Sequence, residues 1–312
     1  MNRKNFIKSA ALLGGALALF PGKVFANFRR YEDKIHQNFS FESWTNKNVN
    51  VLWIGHATVL INFYGTIILT DPVFFERVGV YMFGSSFGPA RMLPPAVNIN
   101  EIPKPDIVLL SHAHMDHMDY PTLKHLTNKY PGEISAVTAY LTSDVIDDLE
   151  WKDLTVLDWR EDASVRDIHI NALEVKHFGW RFPWEKDRSK GFMEDGRSYN
   201  AYVLEKNGYR ILFGGDTAIT DKFREQVKEK INVALMPIGA YDPWIRVHCN
   251  PEQALKMAED VNADVIIPIH TMTFKQSDEP FNEPISRLKT AIQSSDVTLG
   301  LEKVGDSWSL FV

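Results

Sequence analysis

The chain contains a single cysteine, Cys249, among its 312 residues. One cysteine excludes an intramolecular disulfide framework, and it also excludes a zinc site built from several thiolates. Ten histidines are spread along the same chain. Any metal site must therefore use imidazole and carboxylate ligands.

The chain also has no excess of positively charged residues. The formal net charge is -6 at pH 7, and the sequence pI is about 5.9. We therefore expect no nucleic-acid partner, because nucleic acid is bound by basic surfaces. The expected partner is a small-molecule or lipid substrate, and association with a membrane surface stays open.

The N-terminus lacks an apolar run long enough to span a bilayer. The stretch Ala10–Phe20 is well short of the ~20 residues that a transmembrane helix needs. Basic residues precede it, beginning with Arg3-Lys4, and Val24-Phe25-Ala26 follows with the spacing of a signal-peptidase site. Residues 1–26 therefore predict an export signal peptide that resembles the twin-arginine type. We expect a protein of the bacterial periplasm or cell envelope.

Residues 27–312 predict a single domain of strands interleaved with modest helices. Tyr64-Gly65 predicts a hairpin turn between two of the strands. Because the strands come in clusters before and between the helices, the pattern favours two mixed β-sheets packed together over a Rossmann-type sheet. Strand-like runs occur at 49–54, 59–63, 66–70, 106–111, 134–139, 154–159, 168–175, 199–205, 209–213, 233–237 and 265–269.

Helix signals occur between the strands. Asn250-Pro251-Glu252-Gln253 offers an N-cap, a proline at the first helical position and a glutamine three residues after the cap. Asn282-Glu283-Pro284 opens another helix. Asp119 could cap a helix that follows it, or it could lie just behind the metal ligands and support them. Weaker helix candidates lie at 121–130, 143–151 and 220–230.

The segment from His112 to His117 has the pattern H-x-H-x-D-H and follows a predicted buried strand. Residues i and i+2 of an extended chain point the same way, so His112 and His114 can bind one ion together. If the chain then turns, Asp116 and His117 can face a second ion. Histidine nitrogen and aspartate oxygen suit zinc, and also manganese or iron. A histidine-rich surface loop is the alternative, but it does not explain this density of ligands after a buried strand.

Three more candidate ligands, His177, Asp216 and His270, lie at the ends of predicted strands. An isolated histidine in such a place is more often structural. Together, however, they supply the two imidazoles and the carboxylate that a site for two divalent ions still lacks. The predicted centre has His112, His114 and His177 on one ion, Asp116, His117 and His270 on the other, and Asp216 bridging both.

These segments resemble the metallo-β-lactamase fold superfamily, and more specifically N-acylphosphatidylethanolamine-hydrolysing phospholipase D and its bacterial relatives. The matching segments occur in family order across residues 50–275. They are Trp53-Ile54-Gly55-His56-Ala57-Thr58, Leu69-Thr70-Asp71-Pro72, His112 to Asp119, His177-Phe178-Gly179, Gly214 to Thr217, Pro237 to Pro243 and His248 with Asn250-Pro251-Glu252.

The resemblance implies an αββα sandwich, of class α/β, with the metals at one edge between the sheets. It implies that Asp71 lies behind the ligands and orients a histidine, although from the residues alone Asp71 could equally be a turn residue. It places His56 near the site in a structural role. His248 falls where the phospholipase family has a histidine that contacts the substrate headgroup, and a solvent-exposed loop histidine is the alternative. Met115 stands where the family's motif commonly carries a tyrosine implicated in substrate contact.

The predicted chemistry is hydrolysis by a hydroxide that two metal ions share. Asp116 and Asp216 are the candidate catalytic carboxylates. Aromatic residues such as Trp180 and Trp244 lie in segments flanking the ligands, and they suggest a hydrophobic rim for acyl chains. The favoured interpretation is a phosphodiesterase of the phospholipase D type. A lactonase or small phosphoester hydrolase of the same fold is the alternative, and a metal-binding protein without turnover is disfavoured by the full ligand set.

Overall fold

The computed structural model describes residues 39–185, 188 and 196–311. The predicted export signal at 1–26 lies outside the described residues. Within the described ranges, no helix combines the length and the apolar character that crossing a membrane requires.

The described part of the chain contains sixteen strands and four α-helices. In chain order, the strands are β1 (Asn48–Gly55), β2 (Thr58–Phe63), β3 (Thr66–Thr70), β4 (Val80–Met82), β5 (Ser85–Phe87), β6 (Ile107–Leu109), β7 (Ser135–Ala139), β8 (Asp153–Leu157), β9 (Asp162–Val165), β10 (Ile168–Glu174), β11 (Asn200–Lys206), β12 (Tyr209–Phe213), β13 (Val233–Pro237), β14 (Val265–Ile269), β15 (Thr298–Leu299) and β16 (Ser307–Phe311). The helices are α1 (Tyr120–Lys129), α2 (Lys222–Gln226), α3 (Pro251–Asp260) and α4 (Glu283–Ala291).

Two seven-stranded sheets share one topology. The first has the spatial order β16-β1-β2-β3-β6-β7-β8, and the second has the order β9-β10-β11-β12-β13-β14-β15 when it is read from the corresponding edge. In each sheet the first four strands pair antiparallel and the last four pair parallel. Both sheets are therefore mixed, as the clustering of strands in the sequence predicted.

The two sheets pack against each other through one apolar layer. Trp53 and Phe63 of the first sheet and Tyr202 and Phe213 of the second are fully buried in it. Helix α1 covers the outer face of the first sheet, and α3 and α4 cover the outer face of the second. This arrangement confirms the predicted α/β sandwich of two mixed sheets with helices outside.

Short sequence motifs explain where several strands and helices begin or end. Tyr64 and Gly65 both have positive φ, of 51° and 91°, as a two-residue hairpin between β2 and β3 requires. Helix α3 begins with a capping box, because Asn250 accepts from the N–H of Gln253 and the side chain of Gln253 accepts in return. Asp119 caps α1 by accepting from the N–H of Thr122.

The helix predicted at 143–151 is wrong, because this segment contains only a 3-10 helix at Ser143–Val145. Its backbone hydrogen bonds join residues three apart, as from the N–H of Ile146 to the carbonyl of Ser143. The indole N–H of Trp151 donates to the carbonyl of Ile146. The acidic residues Asp147 and Asp148 would also oppose the dipole of a helix that ended near them. The sequence does not predict five of the strands, namely β4, β5, β9, β15 and β16.

Candidate metal centre

Loops at the carboxyl ends of five strands bring the predicted ligands together. Asp71 follows β3, and the segment from His112 to His117 follows β6. His177, Asp216 and His270 follow β10, β12 and β14. Because the two sheets share one topology, both halves of the sandwich present polar residues at the same edge.

The first cluster contains His112, His114, His177 and Asp216, whose ligand atoms all lie within 4.8 Å of one another. His112 Nε2 lies 2.8 Å from His114 Nδ1, which in turn lies 3.2 Å from His177 Nε2. The other nitrogen of His177, Nδ1, donates to the carbonyl of Val247 at 2.8 Å. That bond fixes the ring so that Nε2 faces the cluster, as in many histidine metal ligands.

The second cluster contains Asp116, His117, His270 and also His56, again within 4.8 Å. Asp116 Oδ2 lies 3.5 Å from Nε2 of both His117 and His270. The resemblance gave His56 a structural role near the site. The structure brings its Nε2 to 2.9 Å from Asp116 Oδ2, so it touches a predicted ligand directly.

Asp216 joins the two clusters. Its Oδ2 lies 3.1 Å from His117 Nε2 and 3.0 Å from His270 Nε2 on one side. On the other side it lies 3.8 Å from His177 Nε2 and 4.0 Å from His112 Nε2. One carboxylate oxygen therefore faces both groups of imidazoles, which is the position that the sequence predicts for a bridging ligand.

The donor set fits divalent cations. Five buried atoms of these ligands make no hydrogen bond within the described part of the chain, namely His114 Nε2, His117 Nε2, Asp216 Oδ1 and both ring nitrogens of His270. Burying polar atoms without partners is costly, and metal coordination satisfies such atoms. Nitrogen and carboxylate oxygen are also the atoms that zinc, manganese and iron accept.

The charges of the metal-free protein suit cation binding. Burial and the neighbouring imidazoles hold the pKa of His112 well below its ordinary value, and burial lowers the pKa of His114 to about 4. These rings are therefore neutral at pH 7, as ligands must be. Burial alone would lower the pKa of His270, but Asp216 and Asp116 outweigh it and raise that pKa to about 9. A bound cation would displace this proton.

Three residues at the metal centre have strained backbone conformations. His56, Asp71 and His270 have φ angles of 53°, 32° and 57°, in the left-handed region that residues other than glycine rarely adopt. Such conformations persist where the surrounding structure over-determines them, and they are common at functional sites.

A cavity of about 640 Å³ opens onto both clusters. His248 lines it, with Nδ1 3.8 Å from Asp216 Oδ2, so this histidine is at the site and is not a solvent-exposed loop residue. Met115 also lines the cavity. Apolar side chains form much of the wall, including Phe178, Trp180, Trp244 and Val247.

Two polar residues of the cavity were not predicted from the sequence. Arg181 donates from one guanidinium nitrogen to the carbonyls of Ala113 and Met118, at 2.6 and 3.1 Å. Gln276 donates to Asp116 Oδ2 at 2.6 Å. Neither residue lies in a ligand motif, and their roles depend on contacts between distant loops, so no local signal in the sequence marks them.

Comparison with known proteins identifies relatives of this chain. A family model for the beta-lactamase superfamily domain matches residues 66–271. An uncharacterized protein of Mycobacterium tuberculosis is 30% identical over 268 residues, which cover 82% of this chain and 67% of the relative. N-acyl-phosphatidylethanolamine-hydrolyzing phospholipase D 1 of Caenorhabditis elegans is 29% identical over 276 residues, covering 82% of this chain and 74% of that protein.

A solved structure has the same fold. The isothiocyanate hydrolase from Delia radicum gut bacteria superposes with a TM-score of 0.63 at 17% sequence identity, and the match covers 84% of this chain and 99% of that one. At this identity the likeness concerns the fold alone. The matched family model and the clustered imidazole and carboxylate ligands lead to one conclusion. The chain belongs to the metallo-β-lactamase superfamily and is a metal-dependent hydrolase.

Proposed function

We propose that the chain is a phosphodiester hydrolase of the N-acylphosphatidylethanolamine phospholipase D type with two divalent ions, of which zinc is the first candidate. The first cluster would hold one ion and the second cluster the other, with Asp216 shared. When bound, such ions lower the pKa of bound water and polarise the substrate oxygen. A water oxygen then forms the new P–O bond, and the ester P–O bond to the leaving alcohol breaks.

The observation that carries this proposal is the composition of the cavity. Its wall beside the ligands is largely apolar, with the rings of Phe178, Trp180 and Trp244. Among the described lining residues, Arg181 is the one with a permanent positive charge. An amphiphilic phosphodiester presents an anion to the metal side and acyl chains to such a wall. The likeness to the Caenorhabditis elegans phospholipase D supports the same substrate class.

The carboxylates act as ligands and not as proton donors. Burial raises the pKa of Asp216, but His117 and His270 outweigh it and hold that pKa well below its ordinary value. Asp116 is held ionised in the same way by His117. Both groups are therefore without a proton at neutral pH, so the leaving alcohol takes its proton from solvent in the open cavity.

His248 is placed to contact the substrate. Its pKa is lowered to about 4, chiefly by burial, so the ring is neutral at pH 7 and has one N–H donor and one acceptor. It lines the cavity, and its Nδ1 lies 3.8 Å from Asp216 Oδ2. A neutral ring there can hold a phosphate or alcohol oxygen by a hydrogen bond.

The test is an assay of purified protein loaded with zinc or manganese on three substrates. These are an N-acylphosphatidylethanolamine in mixed micelles, a soluble chromogenic phosphodiester and an acyl lactone. We expect the two phosphodiesters to be hydrolysed and the lipid to be preferred. His112→Ala should abolish turnover, and His169→Ala, which changes an exposed histidine, should not.

Turnover of the lactone alone would identify a lactonase and contradict the proposal. Loss of all turnover in protein shown to hold two ions would point to a metal-binding protein without catalysis. Either result would leave the metal centre itself in place, since metal content is measured separately.

A further inference from the structure

Gln276 reaches the second cluster from the loop that follows β14. Its side-chain Nε2 donates to Asp116 Oδ2 at 2.6 Å, across a separation of 160 residues in the chain. Its backbone carbonyl accepts from the indole N–H of Trp244 at 3.3 Å. Gln276 therefore connects a predicted metal ligand with an aromatic side chain on the cavity wall.

The same oxygen of Asp116 has a second donor. His56 Nε2 lies 2.9 Å away and is buried. A carboxylate only accepts, so the proton of the neutral ring must be on Nε2. Burial and the nearby His270 lower the pKa of His56 to about 3, which keeps the ring neutral at pH 7.

His56 is itself fixed by its backbone. Its N–H donates to Thr273 Oγ1 at 2.6 Å, and its carbonyl accepts from the N–H of His270 at 3.0 Å. The strained φ of 53° is held by these bonds. The two donors to Asp116 therefore come from two loops that are hydrogen-bonded to each other.

Asp116 needs such support. Its side chain is 14% exposed and lines the open cavity, whereas the ligands His117 and His270 are almost completely buried. It lies in the irregular segment between β6 and α1. Without a partner, the carboxylate could rotate into the cavity and leave Nε2 of both histidines, each 3.5 Å away.

We infer that Gln276 is a positioning residue that works with His56 to hold the carboxylate of Asp116 at the ion of the second cluster. The inference rests on the two-ion centre of the proposed function and deepens it. It does not depend on which substrate is hydrolysed. Partners that orient a ligand in this way typically change metal affinity by about 10–100-fold when they are removed.

The test uses Gln276→Met, which keeps the length of the side chain and removes its donor. Zinc dissociation constants of the metal-free protein are measured by competition with a chromophoric chelator. We expect one of the two constants to rise by about 10–100-fold and the other to stay within about twofold. Gln293→Met, in an exposed position of the 3-10 helix Ile292–Ser294, is the matched control and should leave both constants unchanged.

A double-mutant cycle separates positioning from a general structural effect. In the Asp116→Ala background, Gln276→Met should cause no further loss of zinc affinity, because the carboxylate that Gln276 holds has been removed. Circular dichroism and thermal unfolding of the metal-free variants should match the wild type. His56→Ala should follow the same pattern in the same cycle.

Wild-type zinc affinity in Gln276→Met, or an equal loss with and without Asp116→Ala, would overturn the inference. A wild-type protein that binds only one ion would overturn it as well. If the protein binds two ions but hydrolyses no phosphodiester, the proposed substrate fails while the role of Gln276 stands.

Discussion

Nδ1 of His117 lies 2.6 Å from Oδ2 of Asp71, and both side chains are fully buried. The N–H and the hydroxyl of Ser111 also donate to Asp71, at 2.8 and 2.5 Å. The carboxylate only accepts, so Nδ1 of His117 carries a proton, and Nε2 is the nitrogen that faces Asp116 and Asp216 and would bind a cation there. The geometry thus gives Asp71 the orienting position that the resemblance implies.

The first prediction concerns this orienting bond. Asp71→Asn keeps the size of the side chain but removes its charge, and it can place an amide N–H against the N–H of His117. We expect zinc affinity for the second cluster to fall by about 10–100-fold. Chelator competition measures the change, and Asp296→Asn, at an exposed position, is the matched control. Unchanged affinity would show that His117 is oriented by other contacts.

The second prediction concerns the shared carboxylate. Asp216→Ala removes the oxygen that lies between the two groups of imidazoles, so both ions should lose a ligand. Elemental analysis after gel filtration should find fewer than one ion per chain, against two in the wild type. A variant that kept both ions would contradict the bridging role.

The third prediction concerns His248, which we place on the substrate side of the centre. His248→Ala should leave two ions bound but raise KM or lower kcat for the phosphodiester, by about tenfold for the loss of one hydrogen bond. The readouts are metal content and steady-state kinetics, with His169→Ala as the control. Loss of an ion from His248→Ala would instead make this histidine a ligand.

These predictions rest on residues that the sequence reveals to different degrees. His112, His114, Asp116 and His117 could be predicted because they are close together in the chain and follow a buried strand. His177, Asp216 and His270 could be predicted because ligands gather at strand ends in α/β proteins. Their assignment to one centre was predicted from the sequence as well, and the structure adds the distances between their ligand atoms.

Other features depend on contacts that no local pattern encodes. Gln276 reaches Asp116 across 160 residues, and Arg181 reaches the loop between β6 and α1 from the segment after His177. Strands β15 and β16 each depend on one neighbouring strand for their pairing, and β15 has only two residues. The segment at 143–151 has the composition of a short helix, but the side chain of Trp151 donates to the carbonyl of Ile146.

The fourth prediction concerns the single cysteine. Cys249 is buried, its Sγ donates to the carbonyl of Pro237 at 3.1 Å, and burial raises the pKa of the thiol far above its ordinary value. The folded protein should therefore not react with a thiol reagent such as dithionitrobenzoate at pH 8, and denatured protein should react at one thiol per chain. Fast labelling of the native chain would show that the segment around Cys249 is open.

The raised pKa of Cys249 also makes the free energy of unfolding depend on pH. The folded state holds the thiol protonated, whereas the unfolded state releases the proton above a pH of about 9. The buried thiol therefore makes its full contribution to the free energy of unfolding below that pH. Above it, the contribution is lost by about 1.4 kcal/mol per pH unit. Cys249→Ala should remove this part of the alkaline dependence, as measured by urea unfolding between pH 8 and 10.

The most direct test of the two-ion centre is a crystal structure of the zinc-loaded protein with anomalous diffraction measured on both sides of the zinc absorption edge. We predict two anomalous peaks, one among His112, His114 and His177 and one among Asp116, His117 and His270, with Asp216 in contact with both. A single peak in fully loaded protein, or two peaks without Asp216 between them, would contradict the account.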